Sequence, residues 1–383
     1  MLQGTLINLL RSVASRKRIV DLKPLLVKTI SVVELTRLGD VMIILPFLDR
    51  LGQLFPNARV RVFVGQDYAS LLNSLETRFE CIGIPNPSTF RGLALAVRYA
   101  RDTPTDIAIS MSPPRRNALV TLASRSHFKL GYLSHVNSLT PFLDSTRVES
   151  FGFVLPARVT YGRENIYQRS AKILLGLGVT PGPDEWRAKM KPEIYSAVRT
   201  RLVRDGRMPR RKHVLLHPFS GWEYRNWPLD NFLALAERIN AQLGHDVVMS
   251  VGYKDLRRIR KLLEGRSPGT MILTSDLVET AVLTKDAQLV IGNDSGPLHL
   301  AAALNTRVVG LFGPAPSELT APRASSNTYL YRKVDCSPCD QRICIRPDHS
   351  CMTLLGIDEV FVAVTRALQA PIISKSLTSD VQG

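Results

Sequence analysis

The stretch Ile291-Gly-Asn-Asp-Ser-Gly-Pro-Leu-His-Leu-Ala-Ala-Ala-Leu304 reads as an apolar strand running into a polar turn, after which Pro297 opens an alanine-rich helix. Proline suits a first helical turn, where its missing N–H has no intrahelical partner. Free N–H groups at such a helix start, together with the positive end of its dipole, attract anions. No Gly-Lys-Ser/Thr follows, so this is not a P-loop, and the spacing is not the dinucleotide G-x-G-x-x-G. Strand, Asp-Ser-Gly-Pro and small-residue helix together favour a diphosphate site. As alternatives, Asp294 can be a helix cap and His299 can face core or solvent.

Outward from this stretch the same alternation recurs. Strand-like runs are Thr29–Leu35, Val60–Val64, Cys81–Ile84 and Ile107–Ser110 in the first half. In the second half they are Val214–His217, Val247–Val251, Met271–Thr274, Leu289–Ile291 and Val308–Phe312. Helical spacing fills Val41–Leu54, Phe232–Leu243, Leu256–Leu263, Thr280–Lys285 and Pro297–Leu304. Strand and helix alternating in both halves predict two α/β domains with parallel sheets, whose ligands bind beyond the carboxyl ends of the strands. The length, 383 residues, fits two or three domains.

Composition narrows the class. With 45% apolar and 22% charged residues the chain is globular, neither disordered nor collagen-like. No run approaches the roughly 20 apolar residues of a membrane-spanning helix. The apolar patch Leu6–Leu10 precedes the basic cluster Arg16, Lys17 and Arg18, the reverse of a secretory signal. Five cysteines do not make a disulfide scaffold, which places the chain in the cytoplasm. Lys+Arg is 50 against 33 Asp+Glu, a net charge of +17, so an acidic partner is expected: nucleic acid, an anionic membrane face or a phosphorylated substrate. Two segments concentrate the charge, 1–28 with six basic residues and 199–212 with seven. The second holds Gly206 and Pro209 and reads as an interdomain linker.

Three further constellations carry chemistry. Thr36-Arg-Leu-Gly-Asp40 directly follows the first strand; Asp40 is either a helix N-cap or a carboxylate at a cleft edge able to act as general base. In His217-Pro-Phe-Ser-Gly-Trp-Glu-Tyr-Arg-Asn-Trp-Pro228, Ser220 and Gly221 can offer donors. Arg225 there is a phosphate clamp or a surface ion pair, and Trp227 reads as core. Cys336, Cys339, Cys344 and Cys351, beside His349, can surround a zinc, remain reduced packing thiols or form a disulfide.

Arg37-Leu-Gly-Asp40, Arg225-Asn-Trp-Pro228 and Gly292-Asn-Asp-Ser-Gly-Pro-Leu-His299 occur in the order seen in bacterial lipopolysaccharide heptosyltransferases, glycosyltransferase family 9, which the chain resembles from about residue 30 to about 365. Leu311-Phe-Gly-Pro314 and the cysteine segment ending Cys351-Met352 add to the likeness. The resemblance implies a GT-B fold of two Rossmann-like domains facing a cleft. It implies an acceptor domain over 29–205 and a nucleotide-sugar domain over 206–383, whose last helix can pack back on the first domain; the basic extension 1–28 precedes the family's usual first strand. It assigns Asp40 as catalytic base and Arg225 to the donor phosphates. Ser220, Gly221, Asp255, Asp294, Ser295, Gly296 and His299 fall on the donor side, and Arg37, Gly39, Arg115 and Arg116 on the acceptor side. Phe219 stands where the family has a small or hydroxyl residue, and Asn165 where many members have His.

The implied reaction is inverting transfer of a sugar, heptose from ADP-heptose foremost, to a hydroxyl of a lipopolysaccharide inner-core acceptor. No cofactor is required, and no metal for the diphosphate. The expected partners are the nucleotide sugar, an acidic lipid-linked saccharide and the anionic inner membrane surface, where the enzyme would sit peripherally on the cytoplasmic side. The competing enzyme class is another nucleotide-sugar enzyme on the same scaffold, such as an epimerase. Nucleic-acid binding rests on charge alone, because none of its recognition motifs is present.

Overall fold

The computed structural model describes residues 26–112, 115–135, 147–150, 159–160, 167, 187–264, 271–274, 276–324, 326–339 and 343–371. The first half runs β1 (Thr29–Val33), α1 (Leu38–Ile43), α2 (Leu45–Leu54), β2 (Arg59–Gly65), α3 (Gln66–Asn73), β3 (Phe79–Ile84), α4 (Phe90–Asp102), β4 (Thr105–Ser110), α5 (Arg115–Ala123) and β5 (Ser126–His135), then β6 (Arg147–Ser150) and β7 (Val159–Thr160). The second half runs α6 (Pro192–Arg204), β8 (His213–His217), α7 (Leu229–Leu243), β9 (Asp246–Ser250), α8 (Tyr253–Leu263), β10 (Met271–Thr274), α9 (Leu277–Asp286), β11 (Leu289–Asn293), α10 (Gly296–Ala303), β12 (Val308–Phe312), α11 (Ser317–Thr320), β13 (Thr328–Tyr331), α12 (Ser350–Thr353) and α13 (Ile357–Gln369).

The first sheet has the order β3-β2-β1-β4-β5-β6-β7 and the second β10-β9-β8-β11-β12-β13. The second is parallel throughout, and the first is parallel from β3 to β5 with β6 and β7 added antiparallel at one edge. The strands are apolar because helices cover both faces; β9, β11 and β12 are buried at every position. In each sheet the strand order reverses at one point, between β1 and β4 and between β8 and β11, and a doubly wound sheet opens its ligand crevice there. The turns after β1, β8 and β11 are the ones carrying the three motifs.

Four expectations need correction. Val41–Leu54 is two helices: Ile44 caps both, and Pro46 in the first turn of α2 cannot donate to a preceding carbonyl. Asp40 is the third residue of α1, whose N-cap is Arg37. Residues 199–204 are helix, not linker, and α6 is bound to α9 of the second half. There Tyr195 Oη donates to Asp286 Oδ1 at 2.5 Å, and Glu279 pairs with Arg201 at 3.1 Å and Arg207 at 2.7 Å. Lastly, α13 packs on α7 and on β11 to β13 within the second half.

The halves share a core. Leu38, Val41 and Leu45 belong to one apolar cluster with Leu298, Leu300 and Ala301 of α10. Each such leucine or valine contributes roughly 1.5–3 kcal/mol on full burial. The segment entering α6 is held from both sides. Glu76 N–H donates to Lys189 O at 2.7 Å and Lys191 N–H to Ser74 O at 2.8 Å, while Ala188 N–H donates to Ala303 O at 2.7 Å.

Candidate active site

Two helix N-termini, one from each sheet, meet across the crevice. A Cβ built on Gly39 would lie 3.5 Å from Gly296 Cα, and one built on Gly296 would lie 2.8 Å from Gly39 N. Only glycine at 296 permits that approach. It sets the Asp40 turn directly against the Asp294–Pro297 turn.

On the first-domain side, Asp40 is half-buried and its Oδ2 accepts from Arg37 N–H at 3.3 Å. This is the return half of a capping box, so Asp40 supports the helix start from within the helix. Arg37 is exposed, and its guanidinium carbon lies 4.6 Å above the Trp222 ring, a cation–π contact that joins the β1 turn to the β8 turn. Gly221 lies under the same side chain; a Cβ there would meet Arg37 Nη1 at 3.3 Å. Arg116, the second residue of α5, donates from Nη1 to Ser88 Oγ at 3.1 Å, while its buried Nε has no hydrogen-bond partner. Arg115 opens α5, and its side chain lies outside the described residues, as does Asn165.

The second-domain side is cross-braced. Asn293 donates from Nδ2 to Pro218 O at 2.7 Å and accepts Trp227 N–H at 2.9 Å, locking the β8 turn to the end of β11. Trp227 is core: it is buried, stands edge-on to Phe232 at 5.0 Å and donates from Nε1 to Leu355 O at 2.7 Å. Ser220 does not offer the free donors expected of it. Its N–H goes to Asn226 Oδ1 at 2.8 Å and its hydroxyl to Trp222 O, because the loop closes on itself. Phe219 packs against the apolar cluster that holds Trp227 and Phe232.

Arg225 and Asp294 are paired. Arg225 Nη1 is 3.0 Å from Asp294 Oδ2, and Thr320 Oγ1 donates to the same oxygen at 3.3 Å. Burial raises the Asp294 carboxyl above the usual carboxylate range, and the Arg225 charge and the Thr320 hydrogen bond pull it back. The two residues therefore sit on one side of the crevice, not on opposite sides of an open gap. Ser295 Oγ donates to Asn293 O at 2.9 Å and shapes the turn. His299 is buried beneath the turn, with Nδ1 2.8 Å from Tyr167 Oη. Burial and the nearby Arg225 charge push it down to about 4, so it is neutral at pH 7. Asp255 is set apart in the first turn of α8, beside Gly252 at the end of β9.

One residue escaped the sequence reading. Glu34 follows β1 and is fully buried. It accepts hydrogen bonds from Thr36 Oγ1, from Ser112 Oγ and, at 3.3 Å, from Asn117 Nδ2. Burial first, then the Asp40 charge, push its carboxyl up to about 7 against those three hydrogen bonds. The signal was available: a lone carboxylate in the apolar run Val32-Val-Glu-Leu35.

The four cysteines of this segment are not joined by disulfides. Cys351 is pushed up to about 11 by burial and by Cys339, Cys344 and Cys336 nearby. Among the described residues no group of three or more His, Cys, Asp or Glu is arranged to hold a metal ion, and no helix is long and apolar enough to cross a membrane.

Comparison with known proteins agrees with this architecture. Residues 98–349 match glycosyltransferase family 9 (heptosyltransferase). Lipopolysaccharide heptosyltransferase 3 of Escherichia coli is 23% identical over 285 residues, covering 72% of this chain and 80% of its own. The glycosyl transferase family 9 structure from Veillonella parvula DSM 2008 superposes with a TM-score of 0.69 at 19% identity, over 89% of this chain and 97% of that one. E. coli heptosyltransferase WaaC with ADP-2-deoxy-2-fluoro heptose gives 0.57 at 16% identity, over 88% and 99%. The two facing doubly wound sheets are the GT-B fold, and the chain belongs to glycosyltransferase family 9, the heptosyltransferases.

Proposed function

We propose that the chain transfers heptose from ADP-heptose to a hydroxyl of an acidic lipopolysaccharide inner-core acceptor, with Asp40 as general base. The observation that supports this reading is the contact of Gly39 with Gly296, where the Asp40 turn lies against the helix start at 294–297. The donor identity draws on the relative whose structure holds an ADP-heptose analogue.

In this mechanism the acceptor hydroxyl attacks C1 of the donor sugar from the face opposite the leaving group. Its proton passes to Asp40 as the new C1–O bond forms, because a neutral hydroxyl is a poor nucleophile. The old C1–O bond breaks toward ADP, and the configuration at C1 inverts. Charge grows on the departing diphosphate. Arg225 and the N–H groups at the start of α10 meet that charge, and Asp294 holds the guanidinium in place until the phosphate arrives. Neutral His299 supports the turn from below without adding charge. The +17 net charge suits a phosphorylated acceptor and a peripheral position on the cytoplasmic face of an anionic membrane.

The deciding experiment is a transfer assay with ADP-heptose and heptose-deficient lipopolysaccharide, following ADP release and acceptor mass. A mass gain of one heptose supports the reading. ADP release without acceptor gain, or gain only from another nucleotide sugar, overturns it.

A further inference from the structure

The basic loop that enters β8 lines a cavity that the transfer reaction does not use. The cavity holds about 700 Å³, the size of a small-molecule site, and lies between this loop and α6. From α6 it takes Ser196, Arg199 and Thr200, which their i, i+3, i+4 spacing puts on one face of the helix. From the loop it takes Arg210, Arg211 and Lys212. All six are exposed.

Its place in the fold separates it from the crevice. Lys212 immediately precedes β8, and Asp286, on the cavity wall, lies just ahead of β11. The cavity therefore opens at the amino ends of these two strands, whereas the Arg225 and Asp294 turns follow their carboxyl ends. β8 is five residues long, so at about 3.3 Å per residue the two places are roughly 15 Å apart along the sheet.

Charge and shape both point to an anion. Two of the four cations already have carboxylates: Arg199 Nε is 3.2 Å from Asp286 Oδ2, and Arg211 Nε is 2.9 Å from Asp246 Oδ1. The side chains of Arg210 and Lys212 have no acidic partner among the described residues. The backbone that carries them is fixed in advance. Buried Asp246 accepts from Arg210 N–H at 3.0 Å and from Arg211 N–H at 2.9 Å, so the loop is clamped before any ligand arrives. Like charges around one cavity repel each other, and an anion between them relieves that repulsion. A phosphomonoester suits this lining: its oxygens accept from a guanidinium fork, an ammonium group and the hydroxyls of Ser196 and Thr200. The volume leaves room for a sugar-sized body beside the phosphate.

We propose that this cavity is a second anion site, which binds the phosphomonoester of a sugar-sized or headgroup-sized molecule independently of the donor crevice. The proposal goes beyond the transfer reading and does not rest on it. A soluble sugar phosphate and a membrane lipid headgroup carry the same group, and two probes separate these sources.

The first probe is glucose 6-phosphate, followed by calorimetry. The second is phosphatidylcholine vesicles containing phosphatidic acid, a phosphomonoester lipid, followed by cosedimentation. The signal there is the excess over vesicles containing phosphatidylglycerol, a phosphodiester. Wild type should bind at least one probe, and whichever it binds names the source. Arg210→Ser with Lys212→Ser should weaken that binding roughly 10–100-fold, the worth of two charged contacts at an exposed site, and leave ADP affinity unchanged. Thr200→Trp fills the cavity from α6 without altering charge, and should also remove binding. The substituted positions are exposed, so both variants should fold, and their unfolding temperatures check this. Four results overturn the proposal: wild type binds neither probe; binding persists in the double variant; Thr200→Trp binds as wild type does, which leaves only attraction by net charge; or ADP affinity falls in parallel, which puts the probe in the donor crevice.

Discussion

Gly39 and Gly296 touch backbone to backbone, 257 positions apart in the chain, at the point where the two helix N-termini face each other. The contact is asymmetric. A methyl on Gly39 has ordinary room at 3.5 Å, whereas one on Gly296 meets Gly39 N at 2.8 Å and Leu38 Cβ at 2.9 Å. Gly296→Ala should therefore destabilise by roughly 1–3 kcal/mol and reduce turnover, as overpacking at a tight contact does. Gly39→Ala should be far milder. Denaturant unfolding of both variants checks the difference, and equal effects would remove the contact from the argument.

Asp40→Asn should lower turnover by roughly 10²–10⁴-fold while ADP affinity stays within a few-fold of wild type. The amide keeps an oxygen to accept from Arg37 N–H, so the helix start survives. Turnover close to wild type would leave Asp40 with its capping role alone.

Arg225→Ala should weaken ADP binding by roughly 10–100-fold, the worth of a charged hydrogen bond, and leave adenosine binding nearly unchanged. It also strands the buried Asp294 carboxylate, so Arg225→Ala with Asp294→Asn should recover stability without recovering ADP affinity. Calorimetric titration with the two ligands separates these effects. Equal loss for both ligands would make Arg225 a structural residue.

The neutral His299 sets a pH dependence whose sign follows from its direction. Its folded-state value is depressed to about 4 from 6.5, so the unfolded chain binds more protons between those values. Its contribution is complete above about pH 6.5 and is lost as pH falls toward 4, up to roughly 3 kcal/mol. The difference in unfolding free energy between wild type and His299→Gln should therefore shrink between pH 7 and pH 4. A difference that is flat over that range contradicts the assignment.

Deletion of 1–25, which spares the core residue Val27, removes five basic residues and the apolar patch Leu6–Leu10, and should release the protein from anionic liposomes at moderate salt. Cosedimentation measures this. Unchanged binding would transfer the membrane contact to other basic residues, such as Arg210 and Lys212.

The sequence carried the sheets well where strands are fully buried, because β8, β9, β11 and β12 are unbroken apolar runs bounded by polar turns. It carried β5 and β13 poorly. Ser126–His135 mixes Lys129 and His127 into its pattern, and Thr328–Tyr331 is a half-buried edge with no alternation to read. The Asp40 and Asp294 turns were legible because strand, turn and helix lie consecutively in the chain. The Arg225–Asp294 pair and the Glu34 cage were not, since each joins residues about 70–80 positions apart, and such contacts exist only once the sheets have formed. The α6 segment misled for a different reason. Arg and Lys occur equally in solvated linkers and on helix faces, and here Glu279 and Asp286 supply the partners that make a helix face of it.

The segment at 187–191, hydrogen-bonded to Ser74 and Glu76 on one side and to Ala303 on the other, makes the polypeptide a poor candidate for dissection. Each half borrows backbone partners and part of its oily interior from its neighbour. Cut between the sheets, neither fragment would keep those partners, and both would bare the apolar surfaces of Leu38, Val41, Leu298 and Ala301. Heating should accordingly melt the molecule in one cooperative step, and fragments made separately should aggregate until mixed.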